Sequence, residues 1–322
     1  MLASLRFHSQ PKDLKKQMYT RLLPTWIALS VISTGLAENR IESRKLSSLQ
    51  ANIDLVLVPV TVMDRKGATV TGLGREHFTI LQDNIPRNIL SFSRQDVACS
   101  VSVIVDTTGS MYRQLDAVQS AVRAFLGTTE ARDEAFSMTF AGRPAIHSPF
   151  TTGATSVWNS IQASRVGGGT ALLDTLYLAL SRMRSAQNPC RALLVVSDGM
   201  DSHSRYSKSE LTRVAMEAGA QIYSVSIGVP ARYKKPIQVR EEHSGFALLD
   251  DLAERTGGLH FTVEYRDQAS QAAAKIGEAL RNQYVIGFRP QDIEGAGKWH
   301  KIRIKLDVPK TTVYARGGYY SR

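Results

Sequence analysis

The chain has 322 residues, with 40 Lys and Arg against 29 Asp and Glu, a formal net charge of +11 at pH 7. Hydrophobic residues make up 43% and charged residues 21%, an ordinary globular composition that excludes extensive disorder. Two cysteines are too few for a disulfide-stapled scaffold or a four-thiolate zinc site, and one long apolar stretch is too few for a multi-span membrane protein.

That stretch comes first. A basic lead (Lys12, Lys15, Lys16, Arg21) precedes a mostly apolar run from Leu22 to Leu36, then Ala37 and the polar Glu38-Asn39-Arg40. Gly35 and Ala37 supply the small residues of an A-x-A-like cleavage site, so residues 1–37 read as a secretory signal peptide, or as an N-terminal anchor if uncleaved. The run is short for a spanning helix of about 20 apolar residues. Met18 as the start would give a leader of more usual length. Residues 38–51 read as a linker. The mature chain is then exported: periplasmic, held in the cell envelope or secreted.

Residues 52–96 read as short strands with turns. Asp54 to Met63 is β-branched and apolar, Asp64-Arg65-Lys66-Gly67 is a turn, His77 to Leu81 is a second strand broken at Gln82-Asp83-Asn84, and Asn88 to Phe92 is a third. The middle, residues 97–283, alternates. Apolar strands at Ser100–Val105, Ala135–Phe140, Arg191–Ser197, Gln221–Ile227 and 259–263 are interleaved with helical patterns at Tyr112–Leu126, Thr170–Met183, 207–218, 246–256 and 267–282; His147–Thr151 also reads as strand. Near-continuous apolar strands alternating with helices predict a doubly wound, mostly parallel α/β sheet covered on both faces.

The last segment, residues 284–322, returns to strands at Gln283–Phe288, Trp299–Val308 and Thr312–Arg316. It holds eight basic residues against three acidic, with Lys301, Arg303 and Lys305 alternating with Ile302, Ile304 and Leu306. That alternation is the solvated face of a half-buried strand, not the clustered patch of a nucleic-acid module. Isolated pieces of two or three strands are marginal in water, so the two outer segments are expected to build one small all-β sandwich with the α/β unit inserted between them.

Ligands of open α/β sheets bind beyond the carboxyl ends of the strands, where strand order reverses. Two strands end in aspartate there: Asp106, in Asp106-Thr107-Thr108-Gly109-Ser110, and Asp198, in Ser197-Asp198-Gly199. Between them Gly167-Gly168-Gly169 delivers Thr170. Two carboxylates and three hydroxyls are hard oxygen donors that suit Mg²⁺, Mn²⁺ or Ca²⁺ rather than zinc. The competing reading is capping, because Asp, Ser and Thr at strand-to-helix turns satisfy helix N-termini.

The order Asp106-x-Thr108-x-Ser110, Thr170, Asp198 resembles the metal-ion-dependent adhesion site of von Willebrand factor type A domains, with Thr108 where the family pattern has serine. The resemblance implies that the three hydroxyls coordinate the ion directly. It implies too that the carboxylates bind directly or through water, and that an Asp or Glu carboxylate of a protein partner completes the shell. Several segments (residues 58–84, Ser197–Arg205, Leu252–Gly258, Leu280–Phe288 and the terminal Gly-Gly-Tyr-Tyr) are also similar to the bacterial VWFA-related family described from acidobacteria.

The expectation is thus an exported, non-catalytic binding or adhesion protein. Two alternatives stand beside it: a Mg²⁺-dependent phosphohydrolase with Asp106 as nucleophile, and a structural envelope protein with a vestigial metal site. The phosphohydrolase wants a second aspartate two residues on, where this chain has Thr108. The glycine run lacks the Lys-Ser/Thr of a phosphate-binding loop. Asp201 reads as an exposed loop aspartate, the other reading being an acceptor just outside the ligand set, and His203 and His243, without ligand-spaced partners, read as solvated. Cys99 and Cys190 fall seven and eight residues before Asp106 and Asp198, at the amino ends of strands expected to be neighbours. Neighbouring strands lie about 4.8 Å apart, so a disulfide would fit there; two buried thiols are the other reading.

Overall fold

The computed structural model describes residues 55–321 apart from 95–96, 163–166, 229–235 and 292–296, so the expected leader (residues 1–37) and linker (38–51) lie outside the described residues. In chain order come strands β1 (Val56–Asp64), β2 (Phe78–Gln82), β3 (Ile85–Arg87), β4 (Ile89–Arg94) and β5 (Cys99–Asp106), then helix α1 (Leu115–Leu126). Next are β6 (Glu134–Phe140), β7 (Pro144–Ile146), α2 (Ala154–Gln162), α3 (Leu172–Met183), β8 (Cys190–Ser197), α4 (Lys208–Ala218) and β9 (Gln221–Ile227). The chain continues with α5 (Pro236–Thr256), β10 (His260–Val263), α6 (Arg266–Arg281), β11 (Tyr284–Phe288), β12 (Trp299–Leu306), β13 (Thr311–Ala315) and β14 (Gly318–Tyr320).

The outer segments build two four-stranded antiparallel sheets, in the orders β13-β1-β11-β4 and β14-β12-β2-β3. Each sheet mixes strands from both ends of the chain, as the sandwich expectation requires. β1 shows why: Val58, Val60 and Val62 alternate inward onto Ile80, Ile286, Phe288 and Ile302, where the rings of Phe78, Phe92 and Tyr284 pack with centroids 5.0–5.7 Å apart. The opposite face of β1 turns to the α/β unit, and Met63 joins that unit's core. Asp83 and Asn84 both take positive φ (51° and 67°), the twist of a two-residue hairpin that joins β2 to β3.

The middle segment forms a six-stranded sheet in the order β10-β9-β8-β5-β6-β7, parallel throughout except for the edge strand β7. Side chains of one face of β5 and β8 (Val101, Val103, Val105, Leu194, Val196) pack under α1 and α6, and those of the other (Ile104, Leu193, Val195) under α3, α4 and α5. From β5 the chain crosses to β6 on one side, whereas from β8 it crosses to β9 on the other. The switch point therefore lies between β5 and β8, the two strands that end in aspartate.

Three local expectations change. The strand expected over His147–Thr151 is replaced by the shorter β7 upstream: Pro149 has no N–H to give a ladder, Ser148 turns inward to Ser137, and backbone pairing with β6 is left to His147, which donates to Ser137, and to Thr151, which bridges to Ala135. The helix expected from Tyr112 begins as a 3₁₀ turn over Gly109–Gln114, and the one expected over 246–256 starts ten residues earlier, as α5.

One staple lies within the six-stranded sheet, and a second joint ties that unit to the sandwich. Cys99 and Cys190 are register partners on β5 and β8, disulfide-bonded with Cα atoms 4.5 Å apart. At the junction of α6 and β11, the buried Gln283 donates to Thr61 Oγ1 on β1 (3.1 Å) and to Tyr223 Oη on β9 (3.0 Å). Arg281 pairs with the buried Asp133, which also accepts the Cys99 N–H at the start of β5 (2.8 Å). Among the described residues no helix is long and apolar enough to cross a membrane.

Candidate functional site

β5 and β8 deliver Asp106 and Asp198 to the carboxyl edge of the sheet, and both are buried. Asp106 Oδ1 accepts from the Thr108 N–H (2.9 Å) and the Thr108 hydroxyl (2.7 Å), and Oδ2 accepts from the Ser197 hydroxyl (2.6 Å). The Ser197 oxygen in turn accepts the Gly199 N–H (2.9 Å). Thr108 Oγ1 lies 3.0 Å from Ser110 Oγ, so Asp106, Thr108 and Ser110 form one chain of oxygens along the turn that enters α1. Thr107 faces away and bonds the Phe140 carbonyl through both its N–H (2.9 Å) and its hydroxyl (3.0 Å), pinning this turn to β6.

The glycine run lies against the same edge. Gly167 donates to the Thr107 carbonyl (2.8 Å), and Ala171 to that of Ala141 (2.9 Å). Gly168 takes φ 90°, a conformation that favours glycine, and a Cβ there would crowd the Gly142 nitrogen at 3.2 Å. Thr170 follows, buried, with its carbonyl accepting from the Ser202 and His203 N–H groups (3.0 and 2.9 Å). The Thr170 and Asp198 loops are sewn together further on. Asp201 accepts from Leu172 N–H (2.9 Å), and Asp174 accepts from the N–H groups of Arg205 (2.8 Å) and Tyr206 (3.2 Å). Through these bonds all five expected residues converge on one edge.

Burial and a second carboxylate both disfavour the charged form of Asp106. Burial first, and then the Asp198 carboxylate, push its pKa up to about 6, although the Ser197 and Thr108 hydrogen bonds oppose the rise. Among the described residues no lysine, arginine or histidine pairs with either carboxylate. Nor do the described residues hold a cluster of three or more His, Cys, Asp or Glu, so an ion here would rest on two carboxylates and hydroxyls. That donor set fits a hard divalent cation: two anionic groups offset its charge, and the Ser110 and Thr170 hydroxyls supply neutral oxygens.

Sequence reading left several contributors unassigned. Asp201 is exposed, but it caps α3 rather than standing free, and its Oδ1 also takes the Ser204 hydroxyl (2.6 Å). His203 is exposed, yet its ring lies over Gly169, where a Cβ would meet Cε1 at 2.2 Å. His243 is solvated as expected. Ser197 and Asp174 hold the site together from inside; a serine before the motif aspartate was the only available sign of the first. Asp174 gave none, because it occupies one of the helical positions between the leucines of α3.

A family model described as von Willebrand factor type A domain matches residues 101–200, which include all five residues of the set. An uncharacterised protein of Borreliella burgdorferi is 22% identical over 182 residues, covering 51% of this chain and 53% of its own, so the chain spans about half the length of that curated relative. Among solved structures, BatB from Bacteroides thetaiotaomicron is similar at 18% identity and a TM-score of 0.47, over 57% of this chain and 100% of its own. A von Willebrand factor type A protein from Catenulispora acidiphila is similar at 10% identity and a TM-score of 0.47, over 83% and 72%. Proximal thread matrix protein 1 of the mussel byssus, solved with a zinc-occupied MIDAS motif, is similar at 13% identity and a TM-score of 0.47, over 60% and 47%.

Proposed function

From a chain that carries a von Willebrand factor type A domain, we propose an exported, non-catalytic binding protein that uses one divalent cation to hold a carboxylate of a protein partner. The observation that carries this reading is the pair of buried carboxylates, Asp106 and Asp198, with no cationic side chain beside them among the described residues. Asp106 and Asp198 would offset the ion's charge, and Thr108, Ser110 and Thr170 would give it hydroxyl oxygens. Bound Mg²⁺ or Mn²⁺ supplies a Lewis acid with a coordination position for an outside oxygen. Ser197 and the Thr108 amide orient Asp106 for that role, as outer hydrogen-bond partners orient metal-binding carboxylates elsewhere.

Absence of catalysis is supported by the surroundings of Asp106. The phosphohydrolase alternative wants a second aspartate two residues after its nucleophile, and Thr108 there spends its hydroxyl on Asp106 itself. Export is supported by the apolar leader and by the Cys99–Cys190 disulfide, which persists in oxidising compartments.

Calorimetry with Mg²⁺ and Mn²⁺ tests the site: Asp106→Ala and Asp198→Ala should each abolish binding. Unchanged affinity in both variants would remove the assignment. Thr170→Ala should keep the fold and weaken capture of an aspartate-bearing peptide, and a chelator should reverse that capture in the wild type.

A further inference from the structure

We propose that α5 is a strut that fixes the position of the Asp198 loop, with Gly245 as its positioning residue; the proposal rests on reading the five-residue set as a cation site. A glycine inside a helix costs about 0.5–1 kcal/mol relative to alanine, so its presence at Gly245, well within Pro236–Thr256, calls for a local reason. The reason is backbone contact. A Cβ at Gly245 would lie 2.5 Å from the Gly199 carbonyl carbon, 2.7 Å from the Gly199 oxygen and 2.8 Å from the Asp198 oxygen. In the other direction, a Cβ on Gly199, itself at φ 74°, would lie 2.4 Å from the Gly245 oxygen. All of these neighbours are main-chain atoms, so no side chain can swing aside to make room.

The helix cannot retreat, because its far end is held. The Arg255 carbonyl accepts the Gly317 N–H (3.0 Å), and the backbone at Gly257 lies so close to the turn between β13 and β14 that a Cβ would meet the Arg316 nitrogen at 2.5 Å. Gly258 presses equally closely on the Ile222 carbonyl of β9, and Asp251 pairs with Lys208 of α4 (3.1 Å). From Gly245 to Gly257 the helix spans roughly 18 Å. One end touches the peptide that follows Asp198, and the other is seated on the sandwich. A methyl group at position 245 must therefore be absorbed by the Asp198–Gly199 loop. The Asp106 backbone would stay in place, since β5 and Thr107 hold it, and Asp106 would feel the shift only through Ser197, which bonds both its carboxylate and the Gly199 N–H.

The test uses the full chain with Gly245→Ala, and with Ser244→Ala as the control, an exposed neighbour on the same helix. Two quantities are read: Mn²⁺ affinity by calorimetry, and amide exchange of Gly199 and Met200 in metal-free protein, where Met200 N–H normally donates to Asp198 Oδ1. Gly245→Ala should weaken Mn²⁺ binding at least tenfold and speed Met200 exchange at least tenfold, whereas Ser244→Ala should change neither. Wild-type exchange rates in a folded Gly245→Ala variant would overturn the strut. If wild type and Ser244→Ala both fail to bind Mn²⁺, the cation reading falls, and exchange alone decides on the strut. Should Gly245→Ala not fold, Gly199→Ala reaches the same contact from the loop side; failure of both to fold would make the contact a folding requirement and overturn the positioning role.

Discussion

Reduction of the Cys99–Cys190 bond should destabilise the protein through its unfolded state. The two residues already face each other across β5 and β8, so the folded sheet keeps its pairing when the bond is cut. What changes is the freedom of the unfolded chain, in which the bond closes a loop with a sequence separation of 91. Chain-entropy arithmetic for a loop of that size gives about 4.6 kcal/mol at 25 °C, and native disulfides deliver about 2–5 kcal/mol in practice. Urea unfolding with and without reductant, followed by circular dichroism, should show a loss of about 3–5 kcal/mol. The slope against urea should rise, because an unbridged unfolded chain exposes more surface. Thiol titration of denatured, unreduced protein gives an independent count. Two titratable thiols, or equal unfolding midpoints in the two redox states, would refute the reasoning.

Ser197→Ala removes the hydroxyl that bonds Asp106 without removing any proposed ligand; Mn²⁺ affinity measured by calorimetry should fall by about 10–100-fold, and stability by about 1–3 kcal/mol because the buried Gly199 N–H loses its acceptor. Gln283→Ala removes the donor shared by the buried Tyr223 and Thr61 hydroxyls, which keep each other as partners, so a loss of about 1–3 kcal/mol in all is expected, readable by urea unfolding. The Arg255 guanidinium, with Lys208 beside it, holds the Asp251 carboxyl below the usual range despite partial burial. Stability from a depressed carboxylate is complete above its unfolded pKa, near 4, and is lost as pH falls through its lower folded value. Asp251→Asn should therefore cost about 0.5–1 kcal/mol at pH 7 and nothing at about pH 2, and a constant difference across that range would contradict the pairing.

The layered architecture was legible because its signals are local. Continuous apolar runs such as Ala192 to Val196 mark strands buried on both faces, and Leu172, Leu173, Leu176, Leu180 and Met183 carry a helical period. The five-residue set was legible because each residue sits at a strand end or follows a glycine run, and so does not depend on distant packing. α2 buries Val157 and Ile161 and packs Ala154 and Trp158 against the same core, a helical spacing that is legible in the sequence but spans only nine residues. Contributions made across the fold were invisible. Asp174 and Ser204 meet only because α3 and the Asp198 loop run side by side, and neither residue stands in a recognisable spacing. Gly245 gave no signal either, since a lone glycine in a helical pattern reads as a mild defect until the backbone it touches is known.

The interleaving of chain ends within each sheet has a consequence for synthesis. β4 ends at Arg94 and its partner strand β11 begins at Tyr284, so about 190 residues separate the two halves of one sheet. At roughly 5–20 residues per second, the first four strands wait about 10–40 s for their partners. During that interval Val58, Val60, Val62, Phe78 and Ile80 have nothing to cover them, and β1 and β2 offer unpaired edges to any neighbouring chain. The intervening unit can complete its sheet first, because all six of its strands are contiguous in sequence. Its closure brings the chain entering at Cys99 and the chain leaving at Gln283 onto one side, held by Asp133 with Arg281 and by Gln283 with Thr61. The inserted unit thus works as a template for the sandwich, turning a pairing across 190 residues of chain into a short-range encounter between ends already in place.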